Sequence, residues 1–498
     1  MMSKTLRAMV LGLMLGAAPL PASATPAEEA QLLAQVDHAP VVTRHEGVFA
    51  GRKLRYRATV EGIEVPDAQG RPAARLVSFA YTAEGKGDPA KRPVLFLFNG
   101  GPITPSLWVH LGGFGPKRMA FPDDVKADPS TFRLTDNPDS PLAVADLVFV
   151  DPASTGYSRV LPGTAPNAYF SVKADGQQVA AFIDRWLTQH GRRTSPVYIL
   201  GESYGTNRAA EVGEQLLSLP QPIVPAGIIL FGQAVNIIEY VQRPANIMSY
   251  VVSLPSLAAI AWYHGRVDKG GRSFEQFLDE VRVFAKTDYL EALFLGNAID
   301  PARKQAIAAR LEALSGISAD WYGAHDLRIS KEQFRAELLK DKGLLLGRND
   351  ARYTAPLGPE GRAADPSSVI PTQTEAFFRA YMRDELKVAW SEPYLTGSPV
   401  QELDAWDWGG KTPFSDWPYY KSVSKVFDAS PAFRLMVANG YYDTQTTIGA
   451  ASYLVTQSGW PSDRVSLHYY EGGHMAYSVA ATASRFGRDL RDFMTPAR

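Results

Sequence analysis

Six continuous apolar runs dominate the sequence and constrain its fold more than any other feature. Each run ends in small or polar residues, as in PVLFLFNGG and SPVYILGES. A strand exposed on one face alternates apolar and polar residues, whereas a continuous run is typical of a strand buried on both faces of a parallel sheet. The runs occupy residues 93–101, 145–154, 195–203, 226–234, 433–443 and 465–474.

Helical patterns lie between several of these runs. Residues 176–190 place apolar side chains at helical spacing, and so does the segment from Ser203 to about Leu217. Strands that alternate with helices indicate an α/β fold with a mainly parallel central sheet flanked by helices. The shorter alternating runs between Gly47 and Ala83 instead predict N-terminal antiparallel strands.

The strand–helix rhythm breaks in one long segment, residues 236–430. This segment is mostly helical in pattern and contains polar and Pro/Gly-rich stretches. Because it lies between the fourth and fifth core strands, we expect a large helical cap insertion above the carboxyl ends of the sheet. The core would then comprise residues 46–235 and 431–498, preceded by a loose mature N-terminus at residues 25–45.

The first 24 residues have the pattern of a secretory signal peptide. Lys4 and Arg7 form a short positive head, an apolar stretch follows, and Ala22-Ser23-Ala24 supplies a small-residue pattern for cleavage after Ala24. A membrane anchor is the alternative, but the apolar stretch is too short to span a bilayer. We therefore expect residues 1–24 to be removed and the mature protein to be periplasmic or secreted.

The composition argues against several classes of partner. The 498 residues carry a formal net charge of −1, which gives no electrostatic reason to expect nucleic acid or an anionic membrane surface. There are no cysteines, and the histidines lack the spacing of metal ligands. No glycine-rich phosphate loop follows a strand. We expect no metal and no other cofactor, and the sequence leaves the choice between monomer and homodimer open.

The pentapeptide GESYG at residues 201–205 fits the pattern G-x-S-x-G. Alone, it is equally consistent with a glycine-flanked turn that contains a serine. Its context favours a nucleophile elbow, because Ser203 follows the apolar run SPVYIL and precedes a helix-compatible segment. Gly201 and Gly205 relieve crowding around such a turn, and the helix N-terminus behind the serine favours negative charge. Ser203 is therefore the candidate nucleophile.

A serine hydroxyl needs a base that takes its proton and an acid that orients the base. In hydrolases with this elbow, the chain order is serine, acid, histidine. His474 follows the last predicted strand on a glycine-flanked loop, which favours it as the base. The other histidines after Ser203 lie in the insertion or within a strand: His264, His325 and His468.

Asp443 is the candidate acid, because it ends the predicted strand before the one that leads to His474. Asp463 competes with it, but Asp463 precedes the last strand rather than ending one. A nucleophile, an acid and a base at three strand ends, in the expected order, are a stronger signal than the pentapeptide alone.

The segment FNGGP at residues 98–102 ends an early strand with adjacent glycines. Small residues there would let backbone N–H groups approach a substrate oxygen, as an oxyanion hole requires. The second donor would be the backbone N–H of Tyr204, the residue after the nucleophile. A simple turn at these glycines is the alternative.

Together these motifs resemble those of the serine carboxypeptidase family, in one order and over most of the mature chain. The matching pieces run from about residue 94 to 475 and are FNGGP with the following LGGFGPKR, FVDPASTGYS, GESYG, the loop of Asp443, and GGHM. The resemblance implies an α/β-hydrolase fold with a helical cap, and removal of C-terminal residues from peptides, often best at acidic pH. It implies that Ser203, Asp443 and His474 form the catalytic triad.

The resemblance also implies roles for neighbouring residues. The backbones of Gly101 and Tyr204 would form the oxyanion hole, and Asn99 and Glu202 would bind the terminal carboxylate of the substrate. Glu202 can hydrogen-bond a carboxylate only if one of the two groups carries a proton, which acidic pH or a raised pKa would supply. We therefore expect exopeptidase activity that fades as the pH rises.

The sequence departs from the family pattern beside the predicted oxyanion loop. Leu97 stands where the family commonly has tryptophan, and Ile103-Thr104 replaces the Gly-Cys or Gly-Ser that usually follows NGGP. We expect the β-branched side chain of Ile103 to affect the geometry of the site where the terminal carboxylate of the substrate would bind. The lack of cysteines excludes the disulfides of eukaryotic relatives and points to a bacterial branch.

Two other functions could use the same scaffold. An ester hydrolase or acyltransferase would share the triad, although Asn99 and Glu202 favour a peptidase. A catalytically inactive binding protein would have lost a member of the triad, and none is missing.

Overall fold

The computed structural model describes residues 38–67, 69–85, 87–358, 364–397, 406–410, 412, 414 and 419–495. The signal peptide predicted at residues 1–24 lies outside the described residues. The described strands are β1 (Val41–Phe49), β2 (Arg52–Pro66), β3 (Pro72–Glu84), β4 (Val94–Phe98), β5 (Lys117–Ala120), β6 (Arg133–Asp136), β7 (Asp146–Val150), β8 (Arg159–Val160), β9 (Val197–Glu202), β10 (Gly227–Phe231), β11 (Leu344–Leu346), β12 (Thr354–Pro356), β13 (Arg434–Gly440) and β14 (Val465–Tyr470).

One large sheet runs through the molecule in the order β1-β2-β3-β7-β4-β9-β10-β13-β14, with β8 paired to β3. The six strands from β7 to β14 in this order are parallel to one another, and they are the six apolar runs of the sequence. β1, β2 and β3 are antiparallel, and β3 joins β7 in an antiparallel pair. The predicted mainly parallel sheet with N-terminal antiparallel strands is therefore confirmed.

Alternate residues of the parallel strands contribute to two apolar clusters on opposite faces of the sheet. In β4, Leu95 and Leu97 belong to one cluster, and Val94, Phe96 and Phe98 belong to the other. All five side chains are fully buried. Burial on both faces is the reason why these strands are continuously apolar in sequence.

Helices cover both clusters. The described α-helices are α1 (Val172–Gln189), α2 (Gly205–Leu217), α3 (Ile237–Tyr240), α4 (Ile247–Val251), α5 (Leu254–Tyr263), α6 (Phe274–Phe284), α7 (Leu290–Leu295), α8 (Pro301–Ser315), α9 (Ala319–Ala324), α10 (Lys331–Glu337), α11 (Val369–Asp384), α12 (Tyr419–Ala429), α13 (Ile448–Gln457) and α14 (Ala480–Met494). Helices α1, α2, α12 and α13 pack in the cluster of Val94, and α14 packs in the cluster of Leu95. Within the described part of the chain, no helix has both the length and the apolar character needed to cross a membrane.

The chain between β10 and β13 has an apolar cluster of its own. Side chains from α4 to α10 and from β11 build this cluster, among them Leu257, Phe277, Leu311 and Phe334. After β12 the chain returns to the core, because α11 packs in the cluster of Leu95 and α12 in the cluster of Val94. The segment predicted as the cap, residues 236–430, therefore ends in a helix, α12, that packs in the core. An amphipathic pattern alone does not reveal which surface a helix covers.

The segment predicted as a loose N-terminus, residues 25–45, reaches into β1. Its described part includes the start of β1 at Val41, which pairs with Val60 of β2. The pairing continues without interruption to Phe49 and Arg52 at the hairpin. Hairpin pairing with the adjacent strand β2 makes this segment a strand.

Candidate active site

Ser203 follows β9 directly and begins the turn into α2. Its φ of 59° lies in the left-handed region, which residues with side chains adopt only where the surrounding structure holds them there. Its N–H donates a hydrogen bond of 2.9 Å to the carbonyl of Phe231 at the end of β10. A Cβ atom on Gly201 would collide with the carbonyl of Gly205, so the turn closes only with glycine at this position. This is the tight strand-to-helix geometry of a nucleophile elbow.

His474 and Asp443 form a buried pair beyond the ends of β14 and β13. Nδ1 of His474 donates to Oδ2 of Asp443 at 2.6 Å, which leaves Nε2 as the nitrogen that can accept a proton. Asp443 is fully buried and also accepts hydrogen bonds from the N–H groups of Gln445 and Thr446, at 2.6 and 3.1 Å. Burial by itself lowers the pKa of His474, but Asp443 and the charge of Glu202 outweigh burial and raise that pKa above its ordinary value.

The sheet places this pair beside the serine turn. Gly232 follows β10, next to the Phe231 carbonyl that accepts the Ser203 N–H, and its own N–H donates to Ala438 of β13 at 2.7 Å. A Cβ atom on Gly232 would lie 3.2 Å from Cε1 of His474. The imidazole therefore lies against the backbone that holds the serine turn.

Glu202, directly before the serine, is a buried carboxyl with two donors. Nδ2 of Asn99 and the hydroxyl of Tyr477 each donate to its Oε2 at 2.8 Å. Burial raises the pKa of Glu202 to about 7, although the charge of His474 and these two hydrogen bonds act in the opposite direction. Asn99 and Glu202 were predicted from the sequence, whereas Tyr477 was missed.

The loop after β4 packs against the serine turn from the other side. A Cβ atom on Gly100 would lie 2.5 Å from the backbone N of Tyr204, so the two backbones approach as closely as glycine permits. Gly101 has a φ of 105°, a conformation that favours glycine. Oδ1 of Asn99 accepts the first two N–H groups of the π-helical segment Trp108–Phe114, at 3.1 and 3.0 Å, and so ties the loop to the structure that follows it.

Residues 73–224 match the family model of the serine carboxypeptidases. The matched segment contains Asn99, Gly101, Glu202, Ser203 and Tyr204. Over this segment the chain has the sequence features of the serine carboxypeptidases, a family of serine-type hydrolases. No curated protein matches the chain by sequence.

Comparison with solved structures gives the fold. The chain is similar to the prohormone-processing carboxypeptidase Kex1 of Saccharomyces cerevisiae, with 13% identity, 88% of this chain and 91% of that chain covered, and a TM-score of 0.53. It also matches a proline iminopeptidase of Mycobacterium smegmatis, with 15% identity, 87% and 97% coverage and a TM-score of 0.37. A putative aryl esterase of Burkholderia cenocepacia matches with 13% identity, 87% and 97% coverage and a TM-score of 0.35. With the family match and the sheet order, the likeness to Kex1 confirms the α/β-hydrolase fold.

The residues that depart from the family pattern are either buried in the core or hydrogen-bonded within the loop. Leu97 is fully buried within β4. Ile103 is 5% exposed and belongs to the apolar cluster that contains Phe98 and the side chain of Tyr204. Thr104 turns back on the loop, where its Oγ1 donates to the carbonyl of Gly100 at 2.9 Å. The β-branched residue expected to affect the carboxylate-binding end is therefore a core residue behind the loop.

One further segment, residues 348–351 between β11 and β12, contacts both loops that carry the histidine and the aspartate. We call it the clasp loop. On the histidine side, the His474 N–H donates to the Asn349 carbonyl at 2.5 Å and the Gly473 N–H donates to Asp350 Oδ2 at 3.1 Å. On the aspartate side, Thr444 Oγ1 donates to the Arg348 carbonyl at 2.8 Å, Gln445 Nε2 donates to Asn349 Oδ1 at 2.5 Å, and the Ala351 N–H donates to the Tyr442 carbonyl at 3.0 Å. The sequence gives no signal for this loop, because most of its contacts are made by backbone groups.

The candidates that the sequence ranked lower have partners elsewhere. The ring of His264 lies 2.7 Å from the carbonyl of Ala351, and His325 stacks on Trp321. His468 lies within β14, 3.6 Å from Asp489. The competing aspartate, Asp463, is exposed in a short turn before β14.

Proposed function

We propose that this chain is an exported serine carboxypeptidase, which removes C-terminal residues from peptides through Ser203, Asp443 and His474. The proposal rests on one observation: Glu202, the residue directly before the serine, is a buried carboxyl that accepts a hydrogen bond from Asn99. The chemistry of a serine triad does not need this carboxyl. Recognition of a substrate carboxylate would use it, because a protonated acid can donate a hydrogen bond to that carboxylate.

In the proposed reaction, Oγ of Ser203 attacks the carbonyl carbon of the last peptide bond while Nε2 of His474 takes the hydroxyl proton. Asp443 orients the imidazole through Nδ1 and stabilises its positive charge. The N–H groups of Gly101 and Tyr204 donate to the oxyanion of the tetrahedral intermediate. His474 then gives its proton to the leaving amine, and water hydrolyses the acyl-enzyme with His474 again as the base.

Glu202 and Asn99 hold the carboxylate of the departing residue. With a pKa of about 7, Glu202 is mostly protonated in acid and can donate to that carboxylate. Above this pH both groups are charged and repel each other. Free-carboxylate peptides therefore bind best at acidic pH, and they bind more weakly as the pH rises through about 7.

The proton on Glu202 also affects the base. His474 must be neutral to accept the serine proton, and its raised pKa acts against this in acid. Part of the increase in the pKa of His474 comes from the negative charge of Glu202, so the two groups titrate as a coupled pair. When Glu202 is protonated, this part is lost and the pKa of His474 falls. The coupling supports a pH window in which Glu202 is protonated while His474 is still neutral.

Export is the second part of the proposal. Residues 1–24 carry the signal pattern, so the substrates are peptides of the periplasm or the medium. Protein recovered from these fractions of a bacterial host should begin at Thr25 when its N-terminus is sequenced. Protein that stays in the cytoplasm with residues 1–24 attached would contradict export.

A matched pair of substrates tests the exopeptidase activity. One is a blocked dipeptide with a free C-terminal carboxylate, and the other is the same compound amidated. Both are assayed with the mature protein at about pH 5 and about pH 8, on either side of the Glu202 titration. We expect cleavage of the free acid alone, faster at the lower pH, and no activity in Ser203→Ala.

The other outcomes are equally informative. Equal cleavage of the acid and the amide at both pH values would remove the role of Glu202. Cleavage of a simple ester but of neither peptide, with Ser203→Ala inactive, would identify an ester hydrolase that uses the same triad. Activity retained in Ser203→Ala would show that the triad is assigned wrongly.

A further inference from the structure

Arg208 carries a fully buried positive charge on α2, one turn after the nucleophile. A buried guanidinium is costly unless it is paired and hydrogen-bonded. Its Nε donates to Oδ2 of Asp175 on α1 at 2.7 Å, and Asp175 is 1% exposed. The triad chemistry proposed above uses neither residue.

The other two nitrogens of Arg208 contact the loop after β4. Nη1 donates to the carbonyl of Asn99 at 2.5 Å, and Nη2 donates to the carbonyl of Pro102 at 2.7 Å. These two carbonyls flank Gly100 and Gly101. One planar guanidinium therefore bridges the turn that carries the proposed oxyanion donor of Gly101, a geometry that the single ammonium of a lysine cannot reproduce.

Asp175 connects the same anchor to the second donor. Its Oδ2, which accepts Arg208, also accepts the hydroxyl of Tyr204 at 2.9 Å. Its Oδ1 accepts Nε2 of Gln178 at 3.0 Å, which fixes the carboxylate on α1. Gly101 and Tyr204, whose backbones supply the two proposed donors, are therefore linked through one carboxylate oxygen.

We propose that Arg208 and Asp175 are positioning residues, which hold the two halves of the oxyanion hole in register before substrate binds. The inference rests on the proposed function, because it assumes that Gly101 and Tyr204 stabilise an oxyanion. Donors that are fixed in advance need no reorganisation when charge develops, and this preorganisation is a large part of their effect. Loosening the loop should therefore slow the chemical step more than it weakens substrate binding.

The chain offers a matched control for the stability of a buried pair. Arg192 and Asp146 are 4% and 2% exposed, with Nη1 and Oδ2 2.5 Å apart. Arg192 also donates to a backbone carbonyl, that of Arg92, at 2.7 Å. This pair lies at the opposite end of the parallel strands, because Asp146 begins β7 and Arg192 precedes β9.

The experiment compares Arg208→Lys with Arg192→Lys on a blocked amino-acid ester, so that it does not depend on recognition of a carboxylate. We expect kcat to fall about 10- to 100-fold in Arg208→Lys, with KM changed less than about threefold. Arg192→Lys should lower the melting temperature but leave kcat within about twofold. A peptide boronic acid, whose tetrahedral adduct on Ser203 presents an oxygen to the same donors, should lose affinity in parallel with kcat.

A second variant covers the case in which Arg208→Lys does not fold. Tyr204→Phe keeps the ion pair and removes only the hydrogen bond to Asp175, and we expect a drop in kcat of about three- to tenfold. In Arg208→Ala, added ethylguanidinium should restore part of kcat, which a purely structural defect would not allow.

The inference is overturned if Tyr204→Phe and Arg208→Lys keep wild-type kcat, or if kcat falls no more than in Arg192→Lys. Failure of the proposed function is a different result: Ser203→Ala would then keep the activity of the wild type, and the role of Arg208 would fall with it.

Discussion

The hydroxyl of Tyr477 donates a 2.8 Å hydrogen bond to Oε2 of Glu202, the carboxyl that precedes the proposed nucleophile in the chain. Tyr477 lies three residues after His474, so one short segment supplies both the proposed base and a partner for the proposed carboxylate-binding group. The hydrogen bond favours the charged form of Glu202, whereas burial disfavours it, and the resulting pKa of about 7 lies well above the ordinary value. The proposed pH dependence follows from this balance.

Tyr477→Phe removes one donor to the charged form while it keeps the ring. The pKa of Glu202 should rise further, so cleavage of free-carboxylate peptides should persist to higher pH. We expect the alkaline limb of kcat/KM to move up by about one pH unit, because a hydrogen bond to a charged group contributes about 1.5 kcal/mol. Tyr470→Phe, which removes a half-buried hydrogen bond to Asp489, is the matched control and should leave the profile in place. A downward shift in Tyr477→Phe would contradict this account.

Glu202→Gln makes the proposed carboxylate-binding group permanently neutral. Its amide can donate to a substrate carboxylate at any pH, so the loss of exopeptidase activity above about pH 7 should disappear. The acid limb should stay in place, because Glu202 is already protonated, and so neutral, at the pH where His474 becomes charged. Glu211→Gln on α2, where burial also raises the pKa of a carboxyl, should leave both limbs unchanged. An unaltered alkaline limb in Glu202→Gln would assign that limb to another group.

The same substitution should also change stability. The pKa of Glu202 is higher in the folded protein than its ordinary value, so its contribution to stability is fully present in acid and is lost as the pH rises through about 7. Glu202→Gln should therefore be more stable than the wild type at about pH 8, by up to about 3 kcal/mol, and not at about pH 4. Urea unfolding at the two pH values measures the difference. A variant that is less stable at both would show that the lost carboxyl contacts outweigh the relief of buried charge.

The core of this fold can be predicted from sequence because each parallel strand is buried on both faces and is therefore continuously apolar. β4, with Leu95 and Leu97 towards one face and Phe96 towards the other, is apolar throughout for that reason. The ends of such strands meet at one edge of the sheet, so Ser203, Asp443 and His474 could be proposed from strand ends and chain order.

Residues that act through backbone groups, or through contacts with segments distant in sequence, could not be predicted in this way. Asn349 binds His474 through its carbonyl, which every residue possesses, so its side chain gives no signal. Arg208 looks like an ordinary charge on an amphipathic helix until its burial and the two loop carbonyls are seen. Helix α12 has the same apolar spacing as a cap helix, and only its packing in the cluster of Val94 assigns it to the core.

Asp443→Asn should abolish most of the activity while the fold is kept. The amide leaves His474 without the carboxylate that fixes its tautomer and stabilises the imidazolium, and we expect kcat to fall on the order of 10³- to 10⁴-fold. The pKa of His474 should fall as well, because Asp443 helps to raise it. The residual activity should then extend to lower pH than that of the wild type. Asp463→Asn, at the exposed competitor, is the control, and a comparable loss there would reverse the assignment of the acid.

Gly473→Ala tests whether the clasp loop positions the loops that carry Asp443 and His474. A Cβ atom at Gly473 would overlap the carbonyl oxygen of Asn349, and it would lie 2.5 Å from Cα of Asp350, so backbone must move. That carbonyl also accepts the N–H of His474, and the movement should therefore displace the imidazole from Ser203. We expect unfolding to become easier by about 1–3 kcal/mol and kcat to fall about 100-fold, since a displacement of about 1 Å has effects of this size. Gly323→Ala in α9, where an added Cβ would meet nothing within 4 Å, is the matched control. If Gly473→Ala loses stability but keeps kcat, the clasp loop supports the fold and does not set the position of His474.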